Sequence, residues 1–126
     1  MTSSYRQIAL GTGARLARFG FMPPDSRNIL PLHGEIDLNV SPKLATTFNE
    51  MVQTKPPKVV VDLTNVTYID SSGLAVLIVG MQQVKEYGGK FALVGVQNDV
   101  RSILQTARLD QFFATYPHID AALAAD

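Results

Sequence analysis

The chain contains no cysteine, no tryptophan and only two histidines, and its 11 basic and 11 acidic residues over 126 positions leave no net charge. Each shortage excludes something. Without cysteine there is no disulfide scaffold, thiolate zinc site, iron–sulfur cluster or cysteine nucleophile, and His33 and His118 are widely separated, which leaves little for a soft-metal site. A balanced charge supplies no source of phosphate neutralisation or attraction to anionic lipid, so neither direct nucleic-acid binding nor membrane insertion is expected. The short apolar run Ile8-Ala9-Leu10 is too brief for a signal-peptide core or a membrane span.

What is present is enough for one domain. A chain of 126 residues that is 46% hydrophobic can bury a core without metals or cross-links, and disorder of the whole chain is excluded. The zero net charge hides a split. Residues 1–27 carry four arginines against one aspartate, a net +3, and residues 28–126 carry seven basic and ten acidic residues, a net −3. Residues 1–14, with Ser, Thr and Gly and no acid, read as a flexible arm. An acid-free start with Arg and Ser is also the composition of an organellar transit peptide. The domain proper is expected over 15–126.

Alternation over Leu16–Met22 suits a half-buried strand, Pro23-Pro24-Asp25-Ser26 a turn, and Asn28–His33 the second arm of an antiparallel hairpin. Pro31 cannot donate to a ladder and marks an edge position or a bulge. Gly34-Glu35-Ile36-Asp37 closes that strand. Ser41-Pro42 reads as an N-cap followed by proline at the first helical position, and Leu44, Phe48, Met51 and Val52 set a helix over about 42–54. Val59-Val60-Val61-Asp62-Leu63 is a β-branched run of the kind covered on both faces in a parallel sheet. Leu74, Leu77, Ile78, Met81 and Val84 mark a second helix over about 72–87, ended by Gly88-Gly89. A strand over Phe91–Val96, a helix capped by Asn98-Asp99, a last strand over Gln111–Tyr116 and an Ala-rich helix from about His118 complete the pattern. The expected fold is α/β: a mixed four- to five-stranded sheet with an N-terminal antiparallel hairpin and about four helices.

Catalytic patterns fail. Gly11-Thr12-Gly13 and Gly88-Gly89 lack the Gly-Lys-Ser/Thr ending and the context of a phosphate loop. Asp70-Ser71-Ser72-Gly73 lacks the glycine two residues ahead of the serine that a nucleophile elbow needs, and only His33 or His118 could act as base. The spacing of Asp62, Asp70 and Asp99 demands no metal. The segment Tyr68 to Ala75 carries the most information. A serine at a helix start is first of all an N-cap, but its hydroxyl is also exposed, and a phosphate on it would be stabilised by the free N–H groups and the helix dipole. Ala75, Val76 and Val79 make the first turns of the second helix apolar nearly all round, either as packing under a neighbouring helix or as part of a partner surface.

Leu32-His33-Gly34-Glu35-Ile36-Asp37, Val59-Val60-Val61-Asp62-Leu63 and Tyr68-Ile69-Asp70-Ser71-Ser72-Gly73-Leu74, in this order and spacing, resemble the STAS domain of bacterial anti-sigma factor antagonists. The resemblance covers about residues 16–125. It implies a small α/β sandwich that has no enzymatic activity and no cofactor, acts in the cytoplasm, and binds an anti-sigma factor serine kinase so as to free a sigma factor. By carry-over Ser71, directly after Asp70, is the phosphoacceptor, and a serine phosphatase would reverse the mark. Asp37, Asn39 and the turn to Val40, with Asp70, Ser72, Gly73, Leu74 and Ala75, would lie in the kinase-binding surface. Ala75 stands where family members often have glycine, which puts the fine fit to a partner in doubt. STAS domains also occur as adaptors in transport systems and in stress-signalling assemblies, and that alternative stays open, as does the oligomeric state.

Overall fold

The structure is a computed structural model in which residues 28–125 are described. Strands β1 (Ile29–Ile36), β2 (Lys58–Ile69), β3 (Lys90–Val94) and β4 (Ala114–Tyr116) form one sheet in the order β1-β2-β3-β4, and helices α1 (Ser41–Met51), α2 (Ser71–Glu86), α3 (Asn98–Thr106) and α4 (Ile119–Ala124) connect or follow them. Every strand pairing is parallel. The expected mixed sheet with an antiparallel hairpin is not matched among the described residues: Asn28–His33 belongs to a strand that runs parallel to β2, and the hairpin's first arm and turn, residues 16–26, lie outside them. So do residues 1–14.

The layering follows from the connections. Strands laid down in one direction across a parallel sheet, each joined by a crossover of the one favoured hand, put the crossover helices on one face. Leu44 and Phe48 of α1, Leu77, Met81 and Val84 of α2, and Val100 and Leu104 of α3 accordingly share one core with Val59, Val61 and Leu63 of β2 and Phe91 and Leu93 of β3. The alternate residues Val60, Ala92 and Val94 face the other way and meet Ala122 of α4. The β-branched run in β2 is thus covered on both faces, as its sequence implies. The Lys58 ammonium donates to the carbonyls of Ala122 at 3.0 Å, Leu123 at 3.3 Å and Ala125, a cation placed on the negative end of α4.

Among the described strands β1 is at the sheet edge, which is where Pro31 can be accommodated, and the β1–β2 register shifts between Pro31 and His33 and again between Gly34 and Glu35. Gly34 has φ +79, a left-handed conformation that favours glycine, at the second of these shifts. β2 is longer than its hydrophobic run suggested, because Asn65, Val66 and Tyr68 continue the ladder against His33, Gly34 and Glu35. Helix α1 ends at Met51 and passes into a 3-10 turn over Val52–Thr54. Its N-cap is Val40, not Ser41, and α3 is preceded by Gln97 rather than capped by a side chain of Asn98 or Asp99. β4 begins at Ala114, three residues later than the sequence suggests. Among the described residues no helix is long and apolar enough to cross a membrane.

Phe48 joins the layers: its ring lies 5.9 Å from that of Phe91, and a Cβ added at Gly80 would meet it at 3.0 Å, so the missing side chain in α2 is what lets α1 close on it. Phe48→Ala is expected to cost about 3–5 kcal/mol, measured as a lower urea midpoint.

Candidate functional site

Ile36 and Ile69 are the last residues of β1 and β2 and are partners across the parallel ladder, so Asp37 and Asp70 leave the sheet next to each other at its C-terminal edge. The Asp70 N–H still donates to the Ile36 carbonyl, at 3.1 Å. In an open parallel sheet this edge is where loops and helix starts gather.

The first loop is a tight turn. The Asp37 carbonyl accepts the N–H groups of Val40 at 3.0 Å and Ser41 at 2.9 Å, and the Asp37 carboxylate accepts the Asn39 N–H at 3.0 Å. This geometry displaces Leu38 outward, 72% exposed. Ser41 does not cap α1 with its side chain. Its hydroxyl, 4% exposed, donates to the Asp37 carbonyl at 2.8 Å and lies 2.7 Å from the Ser72 hydroxyl, 31 residues away.

The second loop is the start of α2, whose N-cap is Asp70 and not a serine. The Asp70 carboxylate accepts the Ser72 hydroxyl at 2.6 Å and the Gly73 N–H at 3.1 Å. The Ser72 hydroxyl, then the Gly73 N–H, hold its pKa below the ordinary 3.8; partial desolvation acts in the opposite direction, and the Ser72 and Leu38 N–H groups add smaller lowering effects. Gly73 is required by space. A Cβ there would stand 2.7 Å from the Ile36 carbonyl oxygen and 2.8 Å from the Ile69 side chain.

The two serines that the sequence sets side by side are thereby separated. Ser72 is half-buried and bonded, while Ser71, the first residue of α2, is exposed. Ser71 and Leu74 line a hollow of about 380 Å³ together with Tyr68, Asp70 and the α3 residues Ser102, Ile103 and Thr106. Ala75, Val76 and Val79 turn instead to a shallow groove against Ala45, Phe48 and Asn49 of α1. There Val76 is half-buried in the core and Val79 is 50% exposed, so packing accounts for the first of them and not for the second. Asp37, Asp70, Ser72 and Gly73 come together in one network; Asn39 borders it in the turn.

Sequence reasoning missed Ser41, which it spent on a helix cap; it singled out the turn from Asp37 to Val40 and the segment from Tyr68, but not the exposed apolar side chains of Leu38 and Tyr68 within them. An apolar residue between Asp37 and Asn39, in a turn that has no core to enter, was the available signal. Asp62 accepts the N–H and hydroxyl of Thr64, and His118 Nδ1 accepts the Ala121 N–H, so both are occupied in local turns and caps. Among the described residues no group of three or more metal-ligating side chains forms.

A family model for the STAS domain matches residues 24–122. The chain belongs to the STAS domain family. It is 28% identical over 89 residues to an anti-sigma F factor antagonist of Paenibacillus polymyxa, over 70% of this chain and 76% of that protein. An anti-sigma factor antagonist from Mycobacterium paratuberculosis has a similar structure, with TM-score 0.68 and 30% identity over 75% of this chain and 80% of that one. A sulfate transporter family protein from Wolinella succinogenes reaches TM-score 0.68 at 21% identity over 77% of this STAS chain and 81% of its own, a likeness of fold alone. The resemblance carried by the three motifs is thus a true membership.

Gly73→Ala is expected to cost about 1–3 kcal/mol through the clash with the Ile36 carbonyl, read as a lower thermal midpoint. The depressed Asp70 pKa contributes stability that is present above its ordinary value of 3.8 and is lost as pH falls through the lowered folded value. Asp70→Asn keeps a capping side chain without the charge and is expected to flatten that part of the acid limb in a pH-dependent unfolding series.

Proposed function

We propose that this protein is an anti-sigma factor antagonist whose partner is an anti-sigma factor serine kinase, and that phosphorylation of Ser71 ends the interaction. The observation that carries the reading is the placement of Ser71: an exposed hydroxyl at the first position of α2, directly beside the Asp70 cap, in a chain of the STAS domain family. Membership and the names of the relatives support the antagonist role; the geometry supports the choice of serine, because the Ser72 hydroxyl is already engaged as a hydrogen-bond donor to Asp70.

The protein is a binding module and a substrate in this reading, not a catalyst. The Ser71 hydroxyl attacks the γ-phosphorus of the kinase's magnesium-bound ATP, its proton passes to a base of the kinase, and the bond from the γ-phosphorus to the bridging oxygen breaks to release ADP. The new group brings roughly −1.5 to −2 charges to a surface that already holds Asp37 and Asp70. A helix N-terminus tolerates that anion within the folded protein, whereas a partner surface matched to the neutral hydroxyl meets charge repulsion and a desolvation cost. A serine phosphatase would restore binding. The binding surface combines the turn at Asp37, Leu38 and Asn39 with Tyr68, Asp70, Leu74 and Ala75, and Leu38 and Tyr68 supply its apolar contact. The site of action is the cytoplasm, where an anti-sigma factor works.

With the cognate kinase, binding measured by calorimetry is expected to be preserved in Ser71→Ala and weakened about a hundredfold, near 2.7 kcal/mol, in Ser71→Asp, with circular dichroism unchanged in both. Equal affinity of all three forms would defeat the proposal. Leu38→Ala is expected to weaken binding about tenfold without lowering stability. An adaptor of a transport assembly would instead stay with its ATPase or permease whatever the state of Ser71.

A further inference from the structure

Ser41 has no use in its own helix. It sits at the start of α1 without capping it, yet it is the buried polar side chain among the described residues, 4% exposed. A hydroxyl taken out of water costs free energy unless it is bonded, and both bonds of this one leave the helix toward the Ser71 site. Proton counting gives their sense. Ser72 spends its single hydroxyl proton on the Asp70 carboxylate at 2.6 Å, so the 2.7 Å contact between the serines draws on the Ser41 proton, which is shared with the Asp37 carbonyl at 2.8 Å. That carbonyl already accepts the N–H groups of Val40 and Ser41, so it depends little on the hydroxyl.

We infer that Ser41 is a positioning residue of the Ser71 site: through Ser72 it orients the Asp70 carboxylate and ties the Leu38 turn to the start of α2, so that the partner meets one pre-formed surface. The inference rests on the proposed role of Ser71 for its functional half only. Asp37, Ser41, Ser72 and Asp70 come from the ends of two strands and the beginnings of two helices, and the hydroxyl pair is a side-chain link between those two helix starts. A hydroxyl that accepts a hydrogen bond is polarised into a better donor, so loss of the Ser41 hydroxyl weakens the Ser72 bond to Asp70 and removes the link between the two helix starts. A surface that must be ordered on binding loses affinity relative to one ordered beforehand.

The test uses the full chain as wild type, Ser41→Ala, Ser41→Cys and Ser72→Ala. Cysteine retains most of the buried volume and gives only a weak hydrogen bond. The first readout needs no partner: NMR titration of the Asp70 carboxyl. Wild type is expected to titrate lowest, Ser72→Ala to move farthest back toward 3.8, and Ser41→Ala and Ser41→Cys to lie between them. An Asp70 titration unchanged in Ser41→Ala overturns the inference, and so does one restored to wild type by Ser41→Cys, since volume alone would then be the cause. The second readout is phosphorylation by the cognate kinase: Ser41→Ala is expected to raise KM for the protein about five- to tenfold with kcat within about twofold. An unchanged KM overturns the positioning role at the interface. If wild type accepts no phosphate from any serine kinase of its genome, the reading of Ser71 fails, and the titration alone decides the link.

Discussion

The site depends on one close approach. The start of α2 lies so near the end of β1 that position 73 has no room for a side chain, with the Ile36 carbonyl oxygen only 2.7 Å from where a Cβ would be. That contact, together with the Ile36–Ile69 pairing and the Asp70 N–H bond to the Ile36 carbonyl, sets the distance between the two loops that follow β1 and β2. Everything polar in the site is arranged within that distance: Asp70 reaches the N–H of Gly73, Ser72 reaches Asp70, and Ser41 reaches Ser72. A larger residue at 73 would separate these partners and press on the core side chains of Ile36 and Ile69 as well.

The same geometry divides labour between two adjacent serines. A single helical step gives residues 71 and 72 directions about 100° apart, and the nearness of α1 gives the second of them a partner. Ser72 turns inward to a bond with Asp70 and a contact with Ser41, while Ser71 turns out to solvent beside Tyr68 and Leu74. Identical chemistry thus acquires different roles from position alone. The structural half of the pair holds the cap; the exposed half is left as the reactive hydroxyl of the proposed switch.

How much of this the sequence disclosed varies with the range of the interaction. Local patterns were readable: the β-branched Val59–Leu63 run, the apolar stripe of α2, Pro31 at an edge, and the Asp70-Ser71-Ser72-Gly73 helix start all correspond to what the chain does. The pairing of Asn28–His33 was less so: Pro23-Pro24 invited a turn and a hairpin, whereas its partner among the described strands is β2, in parallel, and alternation has the same character in either pairing. Capping was misread for a related reason. Ser41-Pro42 has the composition of a cap, yet Ser41 finds better partners across the molecule than in its own first turn, and a contact spanning 31 residues leaves no mark in a local pattern. Gly73 was recognised as part of a motif; the carbonyl that makes it obligatory belongs to another strand.

Charge takes on a different meaning once the site is placed. A net charge of zero over 126 residues, or −3 over residues 28–126, says little about a switch, since charges farther apart than about 8–10 Å are largely screened at physiological salt. What matters is that Asp37 and Asp70 leave adjacent strands at the same edge, with Ser71 the next residue. A phosphate there would alter the field within one screening length of both carboxylates. Asp70 is also held ionised by the Ser72 hydroxyl and the Gly73 N–H, so it does not escape a new neighbouring anion by taking up a proton near neutral pH. In the proposed switch the repulsion would then fall on the protein that covers the surface, and departure of that partner would relieve it.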